Sequence, residues 1–350
     1  MKTALAALPL ALIAYLAFWP VPVDPVVWQA PQDQGYTGPY APNERLAALE
    51  LIDLGGHYGP EDVAIGPGGR LYAAVHDGAI VVIDGAQVAP FAQTGGRPLG
   101  VEFGPDGTLY VADAYRGLLS IDAAGTVTVL ASHTSDGAPI RYADDVDIGP
   151  DGTVYFSDAS TRFGAESYGT LRASILDLVE HSATGRILRY DPKTGATTVF
   201  AAGLSFANGV AVTDAVYVVE TGTYSVWRYP FDGGPGTVIL DNLPGFPDNI
   251  NPGPGGSFWI GLVSPRNPIM DRLSARPALR RAIMRLPDAL TPAPTRHGFV
   301  LRMAPDGTVL ETLQDPSGAY ALTTGAITLP DGRIAVTSLT EPRLGLLPSP

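Results

Sequence analysis

Four residues that are far apart in the sequence carry side-chain oxygens and occupy one position of a repeated turn. Glu61, Asp144 and Asp248 lie six residues before a Pro-Asp-Gly or Pro-Gly-Gly turn, and Asn208 holds the corresponding position before a degenerate turn. Equivalent positions of a radial repeat converge on one axis, so these side chains are expected to meet. Carboxylate and amide oxygens, with no His or Cys in the set, favour calcium over zinc or copper. The spacing therefore predicts a calcium site formed by Glu61, Asp144, Asn208 and Asp248, with Asn249 as a further ligand or a group that supports one.

The charge of this set also favours a bound cation. Three carboxylates around a dication leave one negative charge, whereas the same acids without a cation would repel one another strongly. The alternative is that polar residues on the inner strands only hydrate a central tunnel. Hydration alone does not explain why acids occupy these positions instead of Ser or Thr.

The turn itself predicts the fold. Its copies are mostly 38 to 45 residues apart, the range of a four-stranded propeller blade, and each is followed by a short β-branched run. Six copies in one register favour an all-β, six-bladed β-propeller with two helical lid insertions over an ordinary β-sandwich. Because the sixth blade lacks an outer strand, we expect residues 46–54 to supply it and to close the ring.

Composition narrows the function classes. The chain of 350 residues has a net charge of −13, which argues against nucleic acid as a partner. It contains no cysteine, which excludes disulfides, thiolate metal sites and cysteine nucleophiles. No GxSxG elbow, P-loop or GxGxxG motif is present, so serine hydrolase and nucleotide-binding readings have no support. We predict one propeller domain over residues 46–350.

The N-terminal residues predict a membrane association. Lys2 is followed by an uncharged, mostly apolar run to Val23, and the run lacks a small-x-small cleavage site because it ends in bulky and Pro residues. These features favour residues 1–23 as an uncleaved anchor, with the propeller exported to the periplasmic or extracellular side. Release of a secreted propeller after signal cleavage is the alternative. Residues 24–45 are predicted to form a linker.

Two insertions interrupt the blades at residues 160–185 and 264–295, and each contains a helical pattern. Both follow the second strand of a blade, so we expect them to open on the face where the inner strands begin and to act as lids over the metal. The second insertion is locally basic and either lies on a membrane surface or presents a solvated helix face. Its arginines are Arg272, Arg276, Arg280, Arg281 and Arg285.

Several segments resemble a known superfamily. GPEDVAIG, YADDVDIGPDG, FANGVAV and FPDNI are similar to the calcium-ligand segments of the gluconolactonases, the paraoxonases and the strictosidine synthase-like proteins. The likeness is strongest to the strictosidine synthase-like group, including its membrane-anchored animal members, and covers nearly the whole propeller. The resemblance implies a six-bladed propeller with a catalytic calcium in the tunnel. Glu61, Asn208 and Asp248 match ligand positions, and Asp144 stands where many relatives have Asn.

The departures from the superfamily limit the mechanism. Leu99 stands where paraoxonases have a catalytic His, and Thr324 lies in the strand where strictosidine synthase has its Glu. The metal and its carboxylates are retained, which favours a calcium-dependent hydrolase of lactones or related esters, acting on a small-molecule substrate. The resemblance implies that Asp248 is both ligand and general base, and His57 is a further candidate near the mouth. Alternatives are a non-catalytic ligand- or partner-binding propeller with structural calcium, and a strictosidine synthase-like enzyme without the usual Glu.

Overall fold

The computed structural model describes residues 14–287, 291 and 293–348, and the statements below refer to these residues. Six four-stranded antiparallel sheets are arranged around a central channel. The innermost strand of each sheet contacts that of the next, and the last contacts the first, so the ring is closed. The predicted six-bladed β-propeller is confirmed.

The strands follow one another from the channel outwards in each blade. Blade 1 comprises β2 (Asp62–Ile65), β3 (Leu71–Ala74), β4 (Ala79–Asp84) and β5 (Gln87–Gln93), and blade 2 comprises β6 (Pro98–Phe103), β7 (Leu109–Asp113), β8 (Gly117–Ile121) and β9 (Val127–Ala131). Blade 3 comprises β10 (Ala143–Ile148), β11 (Val154–Asp158), β12 (Gly185–Asp191) and β13 (Ala196–Leu204), and blade 4 comprises β14 (Ala207–Val212), β15 (Val216–Glu220), β16 (Ser225–Tyr229) and β17 (Thr237–Leu240). Blade 5 comprises β18 (Gly245–Pro252), β19 (Phe258–Pro265), β20 (Gly298–Met303) and β21 (Val309–Asp315), and blade 6 comprises β22 (Thr323–Thr328), β23 (Ile334–Ser338), β24 (Arg343–Leu347) and β1 (Glu50–Asp53).

The N-terminal strand closes the ring. β1 pairs antiparallel with β24, with Glu50 opposite Leu346 and Asp53 opposite Arg343, so the sixth blade takes its outer strand from the start of the propeller. Leu54, directly after β1, is fully buried and packs in the core that blades 1 and 6 share. The expectation that residues 46–54 complete the last blade is confirmed.

The inner strands are bulged where they begin. The pairing of β10 with β11 slips between Ala143 and Val146, and the pairing of β14 with β15 slips between Ala207 and Val210. A bulge leaves residues out of the ladder and redirects their side chains, here towards the channel. Neighbouring inner strands also approach closely, because a Cβ on Gly209 would stand 2.6 Å from the carbonyl oxygen of Asp248.

Two pairs of short helices form the lids. α1 (Ala165–Tyr168) and α2 (Thr170–Glu180) lie between β11 and β12, and α3 (Pro268–Arg272) and α4 (Pro277–Ile283) lie between β19 and β20. α2 contacts α4, so the two lids form one layer. The other helical parts of the described chain are a helical turn at residues 14–18 and single 3₁₀ turns at Gly38–Tyr40, Arg45–Ala48, Pro67–Gly69, Thr221–Thr223 and Pro254–Gly256.

The N-terminal segment lies against this layer. Residues 14–18 form a helical turn, and the following residues run across the lids and blade 5. The predicted anchor falls partly on residues 1–13, which lie outside the described residues. Within the described ranges, no helix is both long and apolar enough to cross a bilayer.

Candidate metal centre

The structure brings the predicted metal-site residues together at one end of the channel. Glu61, Asp144, Asn208 and Asp248 sit at the beginning of the inner strands of blades 1, 3, 4 and 5, and none is more than 5 % exposed. The side-chain amide of Asn208 donates a hydrogen bond to Oδ1 of Asp248. The amide of Asn249 donates to Oε1 of Glu61 at 3.1 Å. Residues nearly 190 positions apart therefore meet across the channel.

Three oxygens of this group have no hydrogen-bond partner. They are Oε2 of Glu61, Oδ1 of Asn208 and Oδ1 of Asn249, and all three are buried. Buried polar atoms are nearly always bonded, so unpaired oxygens at one place call for a cation or an ordered water. In the described part of the chain, no three acidic or histidine side chains by themselves form a metal-binding group. A site here must therefore include the amides, and the chemistry of this donor set fits calcium.

The pKa shifts of the three carboxylates also favour a bound cation. Burial, and then the charges of Asp248 and Asp144, raise the pKa of Glu61 well above its usual range. Burial and the charge of Asp248 do the same to the pKa of Asp144. Burial raises the pKa of Asp248 to about 7, against the opposing effect of the hydrogen bond from Asn208. Ionised carboxylates at this place need a counter-charge, which a bound cation would supply.

Arg97 is a member of the site that the sequence analysis missed. It is buried, its Nη1 donates to the carbonyl of Pro98 at 2.9 Å, and its Nε has no partner. Burial lowers the pKa of Arg97, and the nearby charges of Glu61 and Asp144 oppose this effect. Three carboxylates and one guanidinium leave two negative charges, which one dication balances. The signal was available, because Arg97 stands two residues before Leu99 in the repeat register, where the other blades carry Gly, aromatic or Leu residues.

Two further acids fasten neighbouring blades to one another. Asp62 accepts a hydrogen bond from the backbone N–H of Val101 at 3.0 Å, and Asp145 accepts one from Val210 at 2.7 Å. Each contact joins one inner strand to the inner strand of the next blade. The carboxylates thus accept hydrogen bonds from backbone N–H groups at the channel wall that strand pairing leaves without a partner.

The lids cover the mouth of the channel. Leu99, Tyr142 and Phe206, which lie beside the site residues in sequence, pack in one apolar cluster with Leu176 of α2. The hydroxyl of Tyr142 donates to the carbonyl of Thr170, the first residue of α2, at 3.1 Å. The predicted position of the lids over the site therefore agrees with these contacts.

Thr324 and His57, which the sequence analysis also considered, form hydrogen bonds with other residues of the fold. The hydroxyl of Thr324 donates to the backbone oxygen of Glu61 at 2.5 Å, so this position supports the strand that carries a site carboxylate. His57 pairs with the exposed Asp77 through Nδ1 at 2.8 Å. Its ring is therefore hydrogen-bonded to an exposed residue of blade 1 that is not part of the metal-site group.

The fold and the site place this chain in the class of six-bladed propellers that carry acids and amides at the starts of their inner strands. The sequence matches the N-terminal domain of strictosidine synthase-like proteins over residues 38–83 and strictosidine synthase over residues 144–233. It is 32 % identical to adipocyte plasma membrane-associated protein of Salmo salar, over 96 % of this chain and 86 % of that protein. It is also 32 % identical to strictosidine synthase-like protein 10 of Arabidopsis thaliana, over 85 % of this chain and 87 % of that one. The chain belongs to the strictosidine synthase-like family.

Solved structures share the fold at low sequence identity. A gluconolactonase from Xanthomonas campestris superimposes with a TM-score of 0.62 at 16 % identity, covering 88 % of this chain and 94 % of that one. The calcium-binding protein regucalcin from Agrobacterium tumefaciens gives a TM-score of 0.60 at 17 % identity, covering 85 % and 93 %. These likenesses show the propeller fold.

Proposed function

We propose that this protein is a calcium-dependent hydrolase of lactones or related esters. The observation that carries the proposal is the set of three unpaired, buried oxygens on Glu61, Asn208 and Asn249, beside the carboxylates of Asp144 and Asp248. The fold shared with a gluconolactonase and with a calcium-binding regucalcin supports both halves of the proposal.

Glu61, Asp144, Asn208 and Asp248 would hold the cation, with Asn249 supporting Glu61 through its amide. The bound ion would act as a Lewis acid on the substrate carbonyl. Asp248 is the candidate general base, because Asn208 holds its Oδ1 and so orients the carboxylate. It would accept a proton from the attacking water. Burial under the lids keeps bulk water from the site and strengthens the electrostatic interactions there.

The direct test is turnover of a panel of lactones and esters by the purified full-length protein, with calcium or with a chelator. We expect hydrolysis of at least one member that stops on chelation and returns when calcium is restored. Binding of calcium without turnover of any member would reject hydrolysis in favour of a binding propeller.

Arg97 offers a prediction that separates substrate binding from metal binding. Its unpaired Nε can donate to a substrate oxygen, so we expect Arg97→Gln to lower kcat/KM about 10- to 100-fold, as for loss of a charged hydrogen bond. The same change removes a positive charge beside the cation and should lower the calcium Kd. Titration calorimetry and steady-state kinetics measure the two effects, with Arg97→Lys as the charge-retaining control. Weaker calcium binding in Arg97→Gln would show that Arg97 instead supports the metal site.

For localisation, we propose that the apolar N-terminal sequence anchors the protein in a membrane with the propeller on the exported side. The structure places residues 16–23 of the predicted anchor against the lids. The support is the apolar N-terminal sequence and the plasma membrane association stated in the names of several animal relatives. N-terminal sequencing of the mature protein distinguishes this arrangement from release after cleavage.

A further inference from the structure

The N-terminal segment is clamped to the lids by buried arginines. Arg285 donates through Nη1 to the carbonyl of Leu16 at 2.8 Å and through Nε to that of Trp19 at 2.5 Å. Arg280, which is fully buried, donates to Val179 of α2 at 2.7 Å and also to Val26. The first described residues of the chain, from Leu16 to Val26, are therefore bound to the lids.

The same contacts test the two roles considered for the arginines of the second insertion, which were to lie on a membrane surface or to face solvent. Arg280 and Arg285 face neither solvent nor a membrane, because they hold the N-terminal segment in place. The arginines that remain for an external partner are the exposed ones on the outer side of the lids.

Large apolar side chains are exposed on this layer. Phe18 is 82 % exposed, and Trp19, Leu171, Ile269 and Leu279 are each about half exposed. We call these five residues the lid patch. They belong to the N-terminal turn and to α2, α3 and α4. α2 contacts α4, Met270 of α3 packs in the same cluster as Leu176 of α2, and the N-terminal turn is bonded to Arg285 just after α4. Exposed apolar side chains grouped in this way mark an interaction surface.

Unpaired positive charges accompany the lid patch. Arg172 follows Leu171, Arg272 lies one turn after Ile269, and Arg276 lies three residues before Leu279. All three arginines are exposed, and no hydrogen bond or ion pair engages their side chains in the part of the chain that the structure describes. Among the described residues of the two lids and of the segment 14–30, the exposed acids are fewer: Glu166, and Asp24, which pairs with Arg281. In a chain of net charge −13, this surface is locally basic.

We propose that the lid patch docks onto a bilayer containing anionic lipid and holds the mouth of the channel at the membrane surface. Apolar side chains flanked by arginines match the boundary between acyl chains and anionic headgroups. The path of the chain favours the same placement, because Leu16, Trp19 and Val26, which follow the N-terminal apolar sequence, are hydrogen-bonded to arginines of the lids. Substrates would then reach the site from the lipid phase. The inference rests on the proposed membrane anchoring and is independent of hydrolysis.

A single-cysteine labelling experiment tests this orientation. The chain has no cysteine, so Leu279→Cys places one polarity-sensitive fluorophore on the lid patch. Ala86→Cys places the same fluorophore in the exposed turn between β4 and β5, at the opposite end of the propeller. In full-length protein reconstituted into phosphatidylcholine vesicles with phosphatidylglycerol, the label at position 279 should shift to the blue and be quenched by lipid-borne nitroxides. The label at position 86 should show neither effect.

Charge and self-association are separated by two further measurements. The triple variant R172Q/R272Q/R276Q should reduce the ratio of immersed to aqueous label at position 279, about fivefold per arginine. Equal, aqueous signals from both labels would overturn the proposal, as would full immersion in the triple variant. Shielding at position 279 that disappears on dilution into excess vesicles would overturn it in favour of a contact between two copies of the chain.

Discussion

Asp248→Asn is expected to lower turnover of the best lactone or ester substrate by about 10²- to 10⁴-fold, the usual loss when a general base is removed. The amide keeps an oxygen that can ligate a cation, and it has nearly the same volume as the carboxylate. It cannot accept a proton from water. Calcium affinity should therefore fall much less than kcat. The two effects differ because Asp248 is assigned two roles, metal ligand and general base, and the amide loses mainly the second.

The measurement compares kcat, calcium Kd and Tm of the variant with those of the native protein. Asp147→Asn is the matched control, because Asp147 is a carboxylate of an inner strand, β10, outside the proposed metal ligands, and its oxygens accept from the backbone N–H groups of Val212 and Ile148. It should retain turnover. An Asp248→Asn protein with full turnover and bound calcium would remove Asp248 from the mechanism and would bring His57 back into consideration.

The repeat made most of the site predictable. Glu61, Asp144 and Asp248 are recognisable because a turn of fixed chemistry follows each of them at a constant spacing, and Asn208 because its strand is intact although its turn has degenerated. In a radial fold, a constant position along each repeat becomes a constant position in space. The missing outer strand was predictable for the same reason, since a ring with one incomplete blade must be closed by another segment.

The alternation of side chains along a strand predicted the contacts of the residues next to the ligands less well. Regular alternation predicts that Asp62 and Asp145 turn away from Glu61 and Asp144 and orient these ligands by hydrogen bonding. The bulge between Ala143 and Val146 breaks the alternation, and Asp145 instead bonds to the backbone of blade 4. A bulge depends on how the neighbouring blade packs, so a single strand sequence does not reveal it.

Long-range partners were the least predictable feature. Arg280 belongs to a basic helix that is compatible with either a solvated or a membrane-facing role. Its buried position depends on the carbonyls of Val26, 254 residues earlier, and of Val179. The segment that supplies Val26 reads as a linker, because its Pro, Gln and Gly residues lack strand or helix periodicity. Backbone carbonyls carry no sequence signal for such a contact.

Metal removal should destabilise the protein strongly at pH 8 and only slightly at pH 5.5. Burial raises the pKa of Glu61, Asp144 and Asp248 in the folded, metal-free protein above the ordinary carboxyl values. Between the ordinary values near 4 and the raised ones, the folded chain binds more protons than the unfolded chain. The free energy of unfolding of the metal-free protein therefore falls as the pH rises through this window.

Bound calcium reverses this dependence. The ligands must be ionised to bind the ion, so binding strengthens as the pH rises and competes with protons as it falls. Calcium at 100 times its Kd adds about 2.7 kcal/mol to the free energy of unfolding, which corresponds to roughly 4 °C in Tm for a chain of this size. A chelator should remove about this amount at pH 8 and less than about 1 °C at pH 5.5.

Glu61→Gln separates the metal effect from the charge effect. The amide can keep a contact with Asn249 but removes one ligand charge and one buried acid. With calcium at pH 8, its Tm should lie below that of the native protein, and the chelator should change it little. In chelator at the same pH, its Tm should equal or exceed that of the native protein, because one fewer buried carboxylate must be ionised. Thermal denaturation with elemental analysis measures both effects. A native protein that contains no calcium and whose Tm is unchanged by the chelator at pH 8 would show that these acids do not form a calcium site.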